Sequence, residues 1–250
     1  MRLSGAVALI TGGSSGVGAA TACALASAGA KPLIAGRDMA RLTKVAARSG
    51  GLALTADLAT PDGPACLAAA AEQAAGPVDL LVNNAGVGWA GPIGEMPKGA
   101  ADELIAVNLT AAVELSRLLI PGMRRRARGR VVFVSSIVGS TGVRGEAVYA
   151  AAKAGLNGFA ESLSYELDGS GVGVSIVVPG VIDTPFFDRR GRPYQRRRPL
   201  PIHPERVARA IISAAERDRA VVFVPRWTQI PVWLHGAAPA AFRALANRFG

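Results

Sequence analysis

The 250-residue sequence predicts an α/β protein: one doubly wound domain with a seven-stranded, mainly parallel sheet and helices on both faces. Two patterns carry this reading. Short, continuously apolar runs such as Val7-Ala8-Leu9-Ile10 and Val131-Val132-Phe133-Val134 suit strands buried on both faces. Stretches of helical length alternate with them as far as Val224, and such repeats build parallel sheets through right-handed crossovers. No linker or repeat interrupts them, so residues 1–250 are read as a single domain.

Residues 7–11 form the first strand, which stops at glycines. Residues 19–27 are helical in composition and end at Gly29. Residues 32–35 are the second strand, and Asp38 caps the next helix. Residues 51–55 are the third strand. The Ala-rich helix 64–75 is closed by Gly76-Pro77. Residues 80–82 are the fourth strand. A long helix spans 100–123, with Leu104, Val107, Leu115, Leu118 and Leu119 on a helical period. Residues 131–134 are the fifth strand. Helix 148–167 spaces Leu156, Phe159, Leu163 and Leu167 by three, four and four. The sixth strand, 174–178, ends at Pro179-Gly180. Helix 205–216 and strand 221–224 complete the alternation.

Composition bounds the rest. Half the residues are apolar, which supports a large core and excludes a disordered chain. Cys23 and Cys66 lie in Ala-rich helices and are expected to be buried small residues. They offer neither a disulfide framework nor metal-ligand spacing, so a reducing, cytoplasmic setting is expected. The N-terminus runs straight into a strand pattern without a signal-peptide layout. No run of about 18 uninterrupted apolar residues appears, so no membrane-spanning helix is expected. His203 and His235 have no partners as ligands, and no metal is expected.

The formal charge is +10, and only Lys31, Lys44, Lys98 and Lys153 are lysines. The arginines cluster at 124–130 and 189–198 rather than along one helix face, which argues against nucleic-acid binding. An acidic substrate tail or an anionic membrane surface are the other uses of such charge.

The segment Thr11-Gly12-Gly13-Ser14-Ser15-Gly16-Val17-Gly18 joins the first strand to the first helix. Glycines there allow a tight turn and a close approach of backbone N–H groups to a pyrophosphate, and the helix N-terminus adds a favourable dipole. The spacing T-G-x-x-x-G-x-G resembles the short-chain dehydrogenase/reductase family. Further family elements follow in order: Asn83-Asn84-Ala85-Gly86 after the fourth strand, Asn108 in the long helix, Ser136 after the fifth strand, Tyr149-Ala-Ala-Ala-Lys153 opening a helix, and Pro179-Gly180 after the sixth strand. The resemblance covers residues 5–224.

It implies a Rossmann-type fold and an oxidoreductase that moves a hydride between a nicotinamide and an alcohol or carbonyl. Cofactor contacts are expected from Gly12, Ser14, Ser15, Gly16, Val17, Gly18, Asn84, Ala85, Gly86, Tyr149, Lys153, Pro179 and Gly180. Asp57 is expected to face the adenine and Leu58 to line its pocket. The backbone of Ile182 and the side chain of Thr184 are expected at the nicotinamide carboxamide or phosphate. Asn83 and Asn84 also read as pins for the fourth strand. NAD-selective sheets place an acid near the end of the second strand, whereas an Arg there accepts a 2′-phosphate. Here Gly36 and Arg37 occupy that stretch, so NADP(H) is the expected cofactor.

The implied catalytic set is Asn108, Ser136, Tyr149 and Lys153. Tyr149 and Lys153 are four apart and share a helix face. A nearby ammonium and an oxidised nicotinamide favour phenolate, so the Tyr149 pKa is expected to fall, suiting an acid/base. Ser136 lies thirteen residues before the tyrosine, the family spacing, and would hydrogen-bond the substrate oxygen. Asn108 would hold a water beside the lysine in a proton relay.

Two parts depart from a common pattern. Residues 185–203, a substrate lid by the resemblance, carry Phe186, Phe187 and Tyr194 among Arg189, Arg190, Arg192, Arg196, Arg197 and Arg198. They read as a mobile, solvated loop or as an Arg trap for an acidic substrate group. The tail, 225–250, carries Trp227, Ile230, Trp233, Leu234, Phe242, Leu245 and Phe249. It is open to closure over the pocket, peripheral membrane contact, or packing on the domain or a dimer mate. Trp89, the lid and the tail lean the substrate towards an apolar ketone, aldehyde or secondary alcohol, with reduction the expected direction. A homodimer or homotetramer is implied, paired through the helices from Ala100 and Tyr149. A catalytically silent NADP-binding regulator on the same fold is the second reading, and a charge-driven nucleic-acid or membrane binder the third.

Overall fold

Seven strands alternate with helices along the chain: β1 Val7–Thr11, α1 Gly16–Ser27, β2 Lys31–Gly36, α2 Met39–Ser49, β3 Leu52–Thr55, α3 Gly63–Ala75 and β4 Leu80–Asn83 come first. Then come α4 Ala100–Ile105, a π turn Ala106–Thr110, α5 Ala111–Arg125, β5 Gly129–Val134, α6 Val138–Thr141, α7 Ala147–Glu166 and β6 Val172–Pro179. The chain closes with α8 Phe186–Arg189, α9 Pro204–Arg217, β7 Val221–Val224, α10 Gln229–Ala237 and α11 Pro239–Phe249. These elements are seen in a computed structural model, which describes residues 1–195 and 198–249, the last three without side chains. Arg196 and Arg197 of the Arg-rich loop, and the side chains of Arg248 and Phe249, lie outside the described residues.

All seven strands are parallel, in the order β3-β2-β1-β4-β5-β6-β7. Alternate side chains point to opposite faces. Leu9, Leu33, Leu81, Val131 and Phe133 meet Leu67, Leu115 and Leu156 on one side, from α3, α5 and α7. Ile10, Ile34, Leu80, Val82 and Val132 meet Leu25, Leu42 and Ile211 on the other, from α1, α2 and α9. This is the doubly wound sheet expected from the sequence, with no antiparallel member. The strand order reverses between β1 and β4, and the crevice beyond their carboxyl ends is where such sheets take ligands.

Several expectations need correction. The single long helix is two α segments joined by the π turn. The whole stretch from Ala100 to Arg125 is long and apolar enough to cross a bilayer, against the expectation that no such helix is present. Half of it is buried, however, with Leu104, Leu115, Leu119 and Met123 all inside the core. Cys66 is exposed and Cys23 half-buried. Alanine marks no face of a helix, so an Ala-rich pattern does not say which way a thiol points.

The first arginine cluster is largely spent on partners at the amino ends of the strands. Arg126 bonds the Val78 carbonyl, Arg126 and Arg128 face Asp79, and buried Arg130 pairs with Asp218. The lid is stitched shut at its base, where Asp183 N–H bonds the Ile202 carbonyl at 2.9 Å and Ile202 N–H bonds that of Val181 at 3.0 Å. It holds a short helix, α8, rather than a featureless loop. In the tail, α10 lies against α6 and α11, and leaves Trp233 72% exposed and Ile230 60% exposed.

Candidate active site

The glycine-rich loop sits at the crevice because backbone packs on backbone there. A Cβ built on Gly18 would fall 2.3 Å from the Gly12 carbonyl oxygen, and Gly12 itself holds a positive φ of 64°. Neither position tolerates a side chain without moving the chain. The first turn of α1 has no side-chain cap and no acidic residue, so its orphan N–H groups stay free for an anion. The loop therefore fits a pyrophosphate on the geometry of its own backbone.

Thr11 and Asn84 hold that loop to β4. The Thr11 hydroxyl accepts from the N–H groups of Asn84 (3.0 Å) and Ala85 (2.9 Å), while Asn84 Nδ2 donates to the Thr11 carbonyl at 2.9 Å. The amide of Asn84 is thus spent on the loop. Ser14 lies against Gly36 at the end of β2, where a Cβ built on the glycine would be 3.7 Å from the serine hydroxyl. Arg37 is exposed and pairs with Glu103 at 3.3 Å. Asp38 caps α2 through the Arg41 N–H at 3.0 Å, as read from the sequence.

After β3, Asp57 is exposed and folds back to accept from the Ala59 N–H at 3.0 Å. Leu58 turns inward to the core. After β6, the bridge to Ile202 leaves the N–H and carbonyl of Ile182 facing away from that partner strand. Thr184 closes on the glycine loop, with its methyl carbon 2.9 Å from a Cβ built on Gly16.

The four residues read as catalytic come together under this crevice. Tyr149 and Lys153 are buried on one face of α7, and the Lys153 Nζ stands 5.8 Å from the phenol ring centroid. Nζ donates to the Val134 carbonyl at the end of β5, 3.0 Å away. Two residues on, the Ser136 hydroxyl accepts from the Val138 N–H at 3.3 Å and is near enough to the Tyr149 phenol to act on its pKa. Asn108 is fixed by the π turn: its Nδ2 donates to Val87 O at 2.8 Å and Leu104 O at 2.9 Å. Its Oδ1 lies 2.9 Å from a Cβ built on Gly86, which would be 3.9 Å from Nζ. Lys153, Asn108 and Asn83 border a cavity of about 10 Å³, room for about one water. Asn108 Oδ1 and both polar atoms of Asn83 have no hydrogen-bond partner among the described residues.

The expected lowering of the Tyr149 pKa does not hold in this structure. Burial holds the phenol well above its ordinary value, and the Glu146 carboxylate adds to that. Ser136 and Arg190 act in the opposite direction without reversing it. The ammonium expected to stabilise phenolate is itself desolvated: burial pushes Lys153 down to about 8.

Sequence reasoning made residues 185–203 a substrate lid but missed the lid's contacts with Tyr149 and Glu146. Phe186 packs against Tyr149 in a tilted contact, with ring centroids 5.5 Å apart. Arg190 lies 4.5 Å over the Phe187 ring and forms an ion pair with Glu146, both side chains about nine-tenths buried. Glu146 stands three residues before Tyr149, and that spacing to an acidic residue was the one local signal available.

Comparison with known proteins agrees with this arrangement. A family model described as short chain dehydrogenase matches residues 6–195. The chain is 32% identical over 232 residues to the ketoacyl reductase HetN of a Nostoc species, covering 89% of this chain and 79% of that protein. It is 36% identical over 186 residues to the 3-oxoacyl-(acyl-carrier-protein) reductase FabG of Vibrio cholerae, covering 74% and 76%. Among solved structures, a metagenomic short-chain oxidoreductase in complex with NADP superposes with a TM-score of 0.75 at 36% identity, covering 89% and 96%. Sheet order, glycine loop and buried Tyr–Lys pair, together with a family match over most of its length, make this chain a member of the short-chain dehydrogenase/reductase family of oxidoreductases.

Proposed function

We propose that the protein is an NADPH-dependent reductase that converts a ketone or aldehyde, carried on an apolar or acyl substrate, into the alcohol. The observation that carries this is the convergence of a phenol, a hydroxyl and an ammonium beside a glycine loop shaped for a pyrophosphate. NADPH, when bound, supplies the hydride. Ser136 donates to the substrate oxygen and steadies the charge that develops on it. Tyr149 gives that oxygen its proton. Tyr149 is protonated at neutral pH, the form a proton donor must have, and Ser136 and Arg190 oppose the rise that burial and Glu146 impose on its pKa. Lys153 and Asn108 refill the phenol through the small cavity they share with Asn83.

Toward the dinucleotide, residues Gly12, Ser14, Ser15, Gly16, Val17 and Gly18 take the pyrophosphate and adenosine ribose. Arg37 takes the 2′-phosphate, and its weak surface pair with Glu103 is readily exchanged. Asp57 and Leu58 flank the adenine; Asn84, Ala85 and Gly86 floor the cleft; Pro179, Gly180, Ile182 and Thr184 orient the nicotinamide, with Tyr149 and Lys153 at its ribose. The names of the ketoacyl-reductase relatives, and the Phe186, Phe187 and Tyr194 rings in edge-on and tilted contact in series, support an apolar or acyl carbonyl.

The exposed small residues of α7, Ala147, Ala151, Ala154, Gly155 and Gly158, suit close pairing with a second copy. Two unpaired cysteines suit a reducing compartment. The exposed tail aromatics leave room for a peripheral membrane contact in the same scheme.

The test is loss of NADPH absorbance with a panel of ketones, aldehydes, sterols and 3-oxoacyl thioesters. Turnover on at least one, reduced by about 10² or more in Tyr149→Phe while NADPH affinity persists, is expected. Undiminished turnover in Tyr149→Phe would overturn the assignment.

A further inference from the structure

The lid supplies a cation to the phosphate end of the cleft. Arg189, on α8, is 174 positions from Ser15 in sequence, yet its Nη2 donates to the Ser15 hydroxyl at 3.1 Å. Its Nε donates to the Pro185 carbonyl at 3.2 Å, which sets the plane of the guanidinium at the lid's base. Pro185 follows Thr184, and Thr184 is the residue whose methyl meets Gly16. Ser15 is the N-cap residue of α1, and its side chain makes no capping bond. One guanidinium, one hydroxyl and the uncapped amides of α1 therefore share one corner of the crevice. No carboxylate pairs with Arg189 among the described residues.

We propose that Arg189 is a ligand of the dinucleotide's pyrophosphate, brought to it by the lid. The proposal rests on the dinucleotide reading above. A neutral hydroxyl is a weak partner for a guanidinium, and a phosphate oxygen at the same corner is a much stronger one. Arg189 lies beside the α1 N-terminus and Thr184, whereas Arg37 stands apart at the end of β2. The two cations thus read different phosphates.

The same short helix reaches the other end of the site. Phe186 packs against Tyr149, and the next arginine, Arg190, pairs with Glu146 just before α7. Consecutive arginines thus splay from α8, one to the glycine loop and one to the phenol's helix. A phosphate held by Arg189 keeps the Phe186 ring over the phenol, so cofactor binding and closure of the reaction chamber become one event.

The affinity of the folded protein for NADPH and NADH, by calorimetry, tests this in wild type, Arg189→Ala and Arg192→Ala. Arg192→Ala removes the same charge from the same loop, away from Ser15. Arg189→Ala is expected to weaken both nucleotides by roughly tenfold, and Arg192→Ala to stay within about twofold of wild type. Unchanged affinity in Arg189→Ala would overturn the proposal. So would a loss confined to NADPH, which would put the guanidinium on the adenosine phosphate instead. Absence of nucleotide binding by the wild type would instead remove the dinucleotide reading beneath it. Trypsin cleavage after Arg190, at the bond to Gly191, gives a second readout. Saturating NADPH is expected to slow it in wild type and not in Arg189→Ala, and equal protection in both would overturn the coupling to the lid.

Discussion

Replacing Lys153 with Met isolates what a buried ammonium costs the fold. Lys153 is 3% exposed, so water does little to soften its burial. Burial brings its pKa from 10.5 to about 8. At about 1.4 kcal/mol per unit, holding the charge inside costs the folded protein about 3 kcal/mol at neutral pH. The sign follows from proton counts. Between about 8 and 10.5 the unfolded chain still carries the proton and the folded side chain has lost it. Wild-type stability therefore rises through that window and receives no such contribution below it. Met fills the same length without a titrating group, but leaves the Val134 carbonyl unpaired, which costs about 1–3 kcal/mol. The two terms nearly offset at neutral pH, so Lys153→Met is expected within about 2 kcal/mol of wild type there, while turnover is lost. By about pH 10 the wild type gains a further 2–3 kcal/mol over the variant. Urea unfolding of both proteins across this range measures the difference, and other titrating groups cancel in it. A difference that does not change with pH would mean Lys153 keeps an ordinary pKa, and the reasoning fails.

Other outcomes follow from the same geometry. Arg37→Ala is expected to weaken NADPH roughly tenfold and leave NADH unchanged, with little effect on melting, because the exposed pair with Glu103 is worth less than about 1 kcal/mol; equal losses for both nucleotides would remove Arg37 as the discriminator. Arg190→Met strands Glu146 in the interior and is expected to cost about 3–5 kcal/mol in denaturant unfolding. Adding Glu146→Gln should restore most of that loss, and a single variant as stable as wild type would show that the pair is not buried in solution.

Much of the scaffold is legible in the sequence because buried parallel strands announce themselves as unbroken apolar runs. Every strand read there is a strand here, exact at β1 and β7 and with ends shifted by a residue or two from β2 to β6. Gly129 joins β5 although its composition hides it: a Cβ there would meet Met123 at 2.6 Å, a tertiary crowding no local pattern encodes. The π turn was invisible for a related reason, since Leu104, Val107 and Leu115 keep an acceptable helical period through it. Motif spacing brought Asn108, Ser136, Tyr149 and Lys153 to one place. The charge state of Tyr149 was beyond it, because desolvation and Glu146 act through the folded environment. The lid was the least readable part. A run of arginines looks like solvated charge until Arg189 and Arg190 are seen reaching Ser15 and Glu146.

The π turn also constrains what can be cut from this chain. It is an α-helix carrying one surplus residue, and each residue turns a helix by about 100°. Excising one position between 106 and 110 would let the ladder heal and improve the helix as a helix. It would also swing everything on one side of the cut by that same angle, so that Leu104 and Asn108 could no longer both face inward. A shortened version of this enzyme is therefore expected to be a better bundle member and a broken relay.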